Sequence, residues 1–286
     1  MVAGAAQLCD LRYRYGRFRH WTPTSLTAAE LSQTDLRLRA EWRWRIPIVD
    51  PVRLPERDLP VDPYALGAFI ANGHAGTSAT ITTPDPHVHK RLLAAGAVQV
   101  RDTTPVCPRF TMRGLIGPIR DLGLDVLSGQ KFIPEPFALA SIDQRIDLLH
   151  GLMDGDGTGS SPGRSCVRAS TTSRRLAGDL ASLVNSLGGT GTITSADRTG
   201  EGKPVEHTIT VMLPDAIEPF STPAKIRGKT KNMTGPARTI IAIEPVQADL
   251  VSIRVRCPMD GLVVGRNFVV IGGGPATAVA HDALAA

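Results

Sequence analysis

The stretch IDLLHGLMDGDGTGS, residues 146–160, runs an apolar helix into two acids, Asp154 and Asp156, and then into glycine. The exposed carbonyls at a helix C-terminus carry partial negative charge and ordinarily attract cations. Acids placed there call for positive compensation. An earlier segment, YALGAFIANGHAG, residues 64–76, has the same rhythm but carries Asn72 where the later copy has Asp156. Gly67 and Ala71 are four apart, as are Gly151 and Gly155, so each helix has a bare stripe along one side. Glycine inside a helix costs up to about 1 kcal/mol relative to alanine, which asks for a packing reason. If the two stripes face each other, the helix ends meet and Asn72 lies beside Asp156. A divalent cation is the natural compensation, because Mg²⁺ takes one or two carboxylates together with water and phosphate oxygens. Two such ends beside a phosphodiester would polarise it, activate water and stabilise the leaving oxygen, which outlines a nuclease site.

Other chemistries compete for these residues. DGDGTG opens like a calcium-binding loop, with acids at positions one and three and glycine at six, but the twelfth residue is Ser165 instead of the bidentate glutamate. A purely structural turn is the plainer reading. His74 could replace the missing acid as a ligand, although a lone histidine is usually solvated or buried in a core. FVVIGGGPATA (268–278) looks like the start of a dinucleotide-binding turn, but position 277 is threonine and no acid follows at the required spacing.

The elements that must hold these residues are legible in outline. Pro63 opens a helix over 64–72, and Ser141 with Asp143 opens another over 144–154. A third over 173–187 places Leu176, Leu180, Leu183, Val184 and Leu187 on one face and stops at Gly188. A shorter helical stretch is expected near 109–122. Thr27 with Glu30 three residues later forms a capping-box signature. Strand signals fall at 77–82, 164–170, 190–195, 206–212, 238–244, 250–256 and 262–271. Five prolines within 45–63 exclude a continuous helix or a central strand and mark an extended linker. The mixed order of elements argues for α+β over a doubly wound sheet. Aligning Gly67 with Gly151 pairs ALGAFIANG with LHGLMDGDG, and each is followed by a turn, a strand and a later helix. A pseudo-twofold domain follows from that repeat.

The 286 residues suffice for one large or two modest domains, and 42% apolar with 21% charged residues is ordinary for a chain with a real core. The net charge of +5 agrees with an acidic partner such as nucleic acid. Arginines cluster at 12–19 and 37–45, and basic residues again at 225–231. Cys9, Cys107, Cys166 and Cys257 lie far apart, without the paired spacing of a zinc or dithiol site. Scattered thiols, no signal-type apolar run and no window of membrane-span length lead to the expectation of a soluble, cytoplasmic protein.

These residues resemble a known family. LHGLMDGDG (149–157) resembles the LAGLIDADG, or DOD-type, motif of homing endonucleases, and ALGAFIANG (65–73) looks like its first copy. SGQKFIP (128–134) is similar to the segment just upstream of the second motif. SIDQRIDLLHGLMDGDGT looks like the version found in inteins, and TTSRRLAGDLASLVNSLGGTGTI (171–193) like the helix and strand that follow it. The resemblance spans roughly residues 45–270. It implies αββαββα in each half, motif helices at a pseudo-twofold axis, and two sheets lying in the major groove of double-stranded DNA. By the same resemblance Asp156 would ligate Mg²⁺, with Asn72 at the matching position of the first motif. Lys131 would fall on the family's catalytic lysine. A second lysine usually follows the second motif, and Lys203, Lys225 and Lys229 remain equal candidates. DNA contacts would come from Arg164, Arg168, Lys203, Lys225, Lys229 and Lys231, with bases read by strand residues near 77–83 and 164–170. A monomer without membrane contact is expected.

VSIRVRCPMDGLVVGRNFVV (251–270) looks like a C-terminal splicing block, which normally closes on His-Asn; here Ile271, Gly272 and Gly273 follow. The N-terminal splicing blocks are not recognisable, so the chain is expected not to splice. The division expected is residues 1–62 as splicing-domain remnant and linker, 63–215 as endonuclease, 216–272 as strands of the all-β splicing domain, and 273–286 as a tail. With Asn72 in place of an acid, cleavage of both DNA strands is expected to be impaired. An inactive DNA-binding protein or eroded remnant is the alternative.

Overall fold

The structure is a computed structural model that describes residues 8–13, 22–46, 48–100, 107–112, 114–159, 167–226, 236–244, 250–253, 261–264, 269–272 and 277–280. The N-terminal stretch forms β1 (Leu8–Tyr13), β2 (Thr22–Thr27), α1 (Ala28–Ser32), β3 (Arg37–Leu38), β4 (Glu41–Trp42) and β5 (Trp44–Ile46). The first central repeat holds α2 (Pro63–Asn72), β6 (Gly73–Ala75), β7 (Ala79–Thr82), α3 (Pro86–Ala94), β8 (Ala97–Gln99), β9 (Arg109–Met112) and α4 (Ile116–Asp121). After α5 (Glu135–Ala138) the second holds α6 (Ile142–Asp156), β10 (Gly157–Thr158), β11 (Val167–Thr171), α7 (Arg174–Ser186), β12 (Thr190–Ala196), β13 (Glu206–Met212) and α8 (Pro223–Ile226). The C-terminal stretch adds β14 (Arg238–Thr239), β15 (Leu250–Ile253), β16 (Gly261–Val264), β17 (Val269–Gly272) and β18 (Thr277–Ala280).

Two compact units result: one joins residues 1–50 with 236–286, and the other is residues 51–235. In the first, the sheet order is β14-β5-β1-β2, so a strand from the far end of the chain pairs with the N-terminal sheet through Arg238↔Ile46. Leu31, Trp44 and Ile240 form its small core. Thr27 and Glu30 make the expected reciprocal cap on α1.

The second unit is α+β and repeats αββαββα. Its two antiparallel sheets have the same order, β6-β7-β9-β8 and β10-β11-β13-β12. Their registers also match: Gly73↔Ile81↔Phe110↔Gln99 in one and Gly157↔Ala169↔Ile209↔Ile193 in the other. One face of each sheet is apolar and buried, through Ala79, Ile81, Phe110 and Met112 in the first half and Val167, Ala169, Ile209 and Val211 in the second. The predicted face of α7 is buried against it, from Leu176 through Val184. Residues 50–62 run without helix or strand, as the prolines require.

Some expectations are corrected. The stretch 109–122 is not one helix: β9 alternates exposed and buried residues, and only Ile116–Asp121 is helical. Gly114, at φ 73, separates the two in a left-handed conformation that suits glycine. The strand expected over 238–244 is limited to Arg238–Thr239. The one expected over 262–271 falls on two antiparallel strands, β16 and β17, paired Gly261↔Gly272. Helix α3 was hidden in a polar segment: Asp85 caps it, Pro86 starts it, and Val88 with Leu92 bury its narrow apolar side.

Candidate functional site

Helices α2 and α6 owe their starts to local sequence. The Asp62 carboxylate accepts from Ala65 N at 2.9 Å ahead of Pro63. Ser141 and Gln144 cap α6 reciprocally. Their glycines then set how the helices pack. A Cβ on Gly67 would lie 3.0 Å from Gly151 Cα and closer to the Leu148 and Leu152 backbone; one on Gly151 would lie 3.0 Å from Gly67 Cα and 2.7 Å from Ala68 N. The two backbones therefore touch, as the small-residue stripes require. One turn further on, a Cβ on Gly155 would lie 3.2 Å from Asn72 Nδ2, so the ends carrying Asn72 and Asp156 are adjacent. Both end residues are exposed.

The two acids of the second motif have separate fates. Asp154 is 4% exposed and turned inward. Its carboxylate accepts from Tyr64 Oη at 3.0 Å, Ser221 N at 3.1 Å, Thr222 N at 3.2 Å and the Ser221 hydroxyl. Asp156 faces outward and lines a cavity of about 380 Å³ together with Lys131, Ser170, Thr172, Arg198, Lys203 and Glu206. The protein around the cavity partly desolvates it and raises its pKa, while the charges of Lys131 and Lys225 pull the other way. Because α6 continues through Asp156 directly into β10, these acids do not lie on a calcium-type loop.

The missing cations arrive from elsewhere in the chain. Neither helix has a basic residue in its last turn. Lys131, 5% exposed, donates from Nζ to Phe69 O at 3.0 Å, Ile70 O at 2.9 Å and Gly73 O at 2.8 Å. Lys225 donates from Nζ to Met153 O at 3.1 Å, Asp154 O at 2.7 Å and Gly157 O at 2.9 Å. Those two sets of carbonyls align in the register that aligns Gly67 with Gly151. A helix end leaves orphan carbonyls and an ammonium has three donors, so each lysine spends all three donors on the end of one motif helix. Each ammonium also stands 5.4 Å from an aromatic ring, Phe69 or Phe220. Burial pushes Lys131 down to about 8, against the opposing charge of Asp156. Burial also lowers Lys225, against Asp154, Asp85 and Asp156.

The structure thus brings Asp156, Asn72, Lys131 and Lys225 together. Lys225 matches Lys131 contact for contact, which no linear pattern could reveal. Lys203 instead lines the cavity wall and pairs with Glu201 at 3.3 Å. Arg168 is exposed on β11, between Thr158 and Thr210. Arg164, Lys229 and Lys231 lie outside the described residues. His74 is exposed on β6 opposite Thr80.

The open sheet faces carry Thr80, Thr82 and Thr111 in the first half and Arg168, Ser170, Thr192, Thr194, Thr208 and Thr210 in the second. A carboxylate on the second face, Glu206, is held by Arg198 at 3.1 Å. Such hydroxyls can donate to or accept from base edges. Among the described residues no three His, Cys, Asp or Glu side chains group to hold a metal. The hard oxygen donors at the helix tips, one carboxylate and one amide, fit an ion that keeps water and phosphate oxygens as further ligands. No helix among the described residues is long and apolar enough to cross a membrane.

A LAGLIDADG-like domain model matches residues 143–213. The replicative DNA helicase DnaB of Mycobacterium intracellulare is 31% identical over 211 residues, which are 71% of this chain and 32% of that protein, so the chain spans about a third of its relative. Among solved structures, mesophilic variants of the homing endonuclease I-DmoI are similar at TM-score 0.38 and 16% identity, covering 56% of this chain and 93% of theirs. I-DmoI in complex with DNA and Mn is similar at TM-score 0.35 and 15% identity, covering 52% and 88%.

Proposed function

We propose that this chain, which carries a LAGLIDADG-like domain over residues 143–213, is an intein-derived, site-specific DNA endonuclease that cuts one strand well and the other poorly. The observation that carries the reading is the pair of helix tips, Asn72 and Asp156, held side by side with a buried lysine capping each helix. Asp156 would hold Mg²⁺ through its carboxylate and Asn72 through its amide oxygen. The ion, when bound, supplies Lewis acidity at the phosphate and lowers the pKa of a coordinated water. The chain's own residues do the rest. The Asp156 carboxylate would offer a cation negative charge on its side of the pseudo-twofold, and Asn72 would offer only a neutral amide oxygen on the other. Lys131 and Lys225 keep positive charge beside the scissile phosphates while their N–H groups donate to the helix carbonyls. The hydroxyl-rich sheet faces and Arg168 read base edges, and the basic strips contact phosphates.

An intein origin accounts for two further facts. The chain leaves the β-rich unit at residue 50 and returns to it at 236, as an inserted nuclease would. It also aligns with only a third of a replicative helicase. Ile271, Gly272 and Gly273 stand where His-Asn would close the splicing block, so we propose that it does not splice.

The test is supercoiled plasmid carrying uninterrupted helicase-gene sequence, incubated with protein and Mg²⁺. Nicked circles are expected, and none with Asp156→Asn. Efficient linearisation by the unaltered protein contradicts the impairment. Salt-sensitive binding without any nicking would leave a silent DNA-binding protein.

Nicking should also depend on pH in a definite direction. The Lys131 ammonium is lost as pH rises through about 8. The Asp156 carboxylate, with its raised pKa, is lost on the acid side. Single-turnover rates should therefore fall above about pH 8, and Lys131→Arg, which stays charged, should remove that alkaline limb. An alkaline limb unchanged in the arginine variant assigns it to another group.

A further inference from the structure

We propose that Asp154, the inward acid of the second motif, is the positioning residue for Lys225. The proposal rests on the nuclease reading of the site. The buried carboxylate of Asp154 gathers the main-chain N–H groups of Ser221 and Thr222 and the Ser221 hydroxyl. Since that hydroxyl donates to Asp154, it accepts from His87 Nε2, 3.1 Å away on α3. Tyr64 on α2 donates to the same carboxylate at 3.0 Å. One side chain therefore ties α2 and, through Ser221, α3 to the turn entering α8.

Lys225 N then donates to Thr222 O at 3.0 Å, which starts α8. The Lys225 ammonium returns to α6 and donates to Asp154's own carbonyl at 2.7 Å. Asp154 thus grips both ends of the loop that delivers the lysine. Helix α8 has only four residues and cannot fix that position by itself.

The first half solves the same problem differently. Ile70 aligns with Asp154 there and offers no carboxylate. The Lys131 main chain is held instead by the Ser173 hydroxyl, which donates to Lys131 O at 2.6 Å. The two lysines make equivalent contacts but are placed by unrelated devices, so one can be disturbed without the other.

The full chain with Asp154→Asn keeps the side-chain volume but loses acceptor capacity. Amide hydrogen exchange should accelerate at residues 221–226 and remain unchanged at 128–131. Single-turnover nicking at saturating DNA should fall by about a hundredfold with DNA affinity unchanged. Combined with Lys225→Met, it should cost no more than Lys225→Met alone. Unchanged exchange at 221–226, or additive losses in the double variant, overturns the proposal. Exchange decides the point even if the unaltered protein nicks no DNA, in which case the nuclease reading fails and the positioning stands or falls separately. Should Asp154→Asn not fold, Ser221→Ala removes one of the four contacts and is read the same way.

Discussion

Asn72→Asp is expected to turn a nicking activity into double-strand cleavage, with linear product formed about a hundredfold faster than by the unaltered protein. The magnitude follows from charge. A carboxylate near a cation gains about 4 kcal/mol per unit charge at 4 Å in an effective dielectric of about 20. Asn72 is exposed, so much of that is screened, and the two to three kcal/mol that remain correspond to roughly a hundredfold. The substitution adds no atoms beyond the amide it replaces, and its neighbour Gly155 already tolerates a group of that size. Strand-specific end labelling should show that only the previously intact strand gains. If both strands accelerate equally, the asymmetry does not arise at Asn72. If neither does, the defect lies elsewhere in the site.

Gly151→Ala is expected to destabilise the central unit by about 3 kcal/mol, the upper end of the range for overpacking. The new methyl would stand 2.7 Å from Ala68 N and against Tyr64 O, both backbone atoms. Backbone cannot change rotamer, so α2 and α6 must separate. Alanine's better helix propensity, about 1 kcal/mol, offsets part of the strain. A fall of about 6–12 °C in melting temperature follows for a unit of this size. Gly178→Ala on α7 is the control, because nothing lies within 4 Å of its added methyl. That variant should gain stability by about 0.5–1 kcal/mol. If Gly151→Ala also stabilises, the backbone-to-backbone contact of the two motif helices is wrong.

The arrangement of the motif helices could be read before any coordinates, because their evidence is local. Small residues four apart on two apolar segments specify a close helix pair, and Pro63 and Ser141 mark where the helices begin. The burial of α7 followed from the period of its leucines. Helix α3 escaped because only Val88 and Leu92 face inward, too little to register as a period. The region 109–122 misled because its apolar residues fit a helical spacing, and Gly114 alone breaks it.

Residues two apart on a helix point in nearly opposite directions. Asp154 and Asp156 therefore could not serve one pocket, and one had to turn inward. Which one turned, and what it holds, depended on Ser221 and Thr222 coming back to α6.

The repeat, the facing glycines and the residues at the two tips are legible from spacing alone, because each rests on a pattern within a single element. Which lysine caps the second helix end was settled by the fold. Lys203, Lys225 and Lys229 are alike in type and order, and selection among them came from chain return across long separations. Hydrogen-bond donors must meet the carbonyls that a helix end leaves open, and nothing in the linear order says which distant residue will reach them.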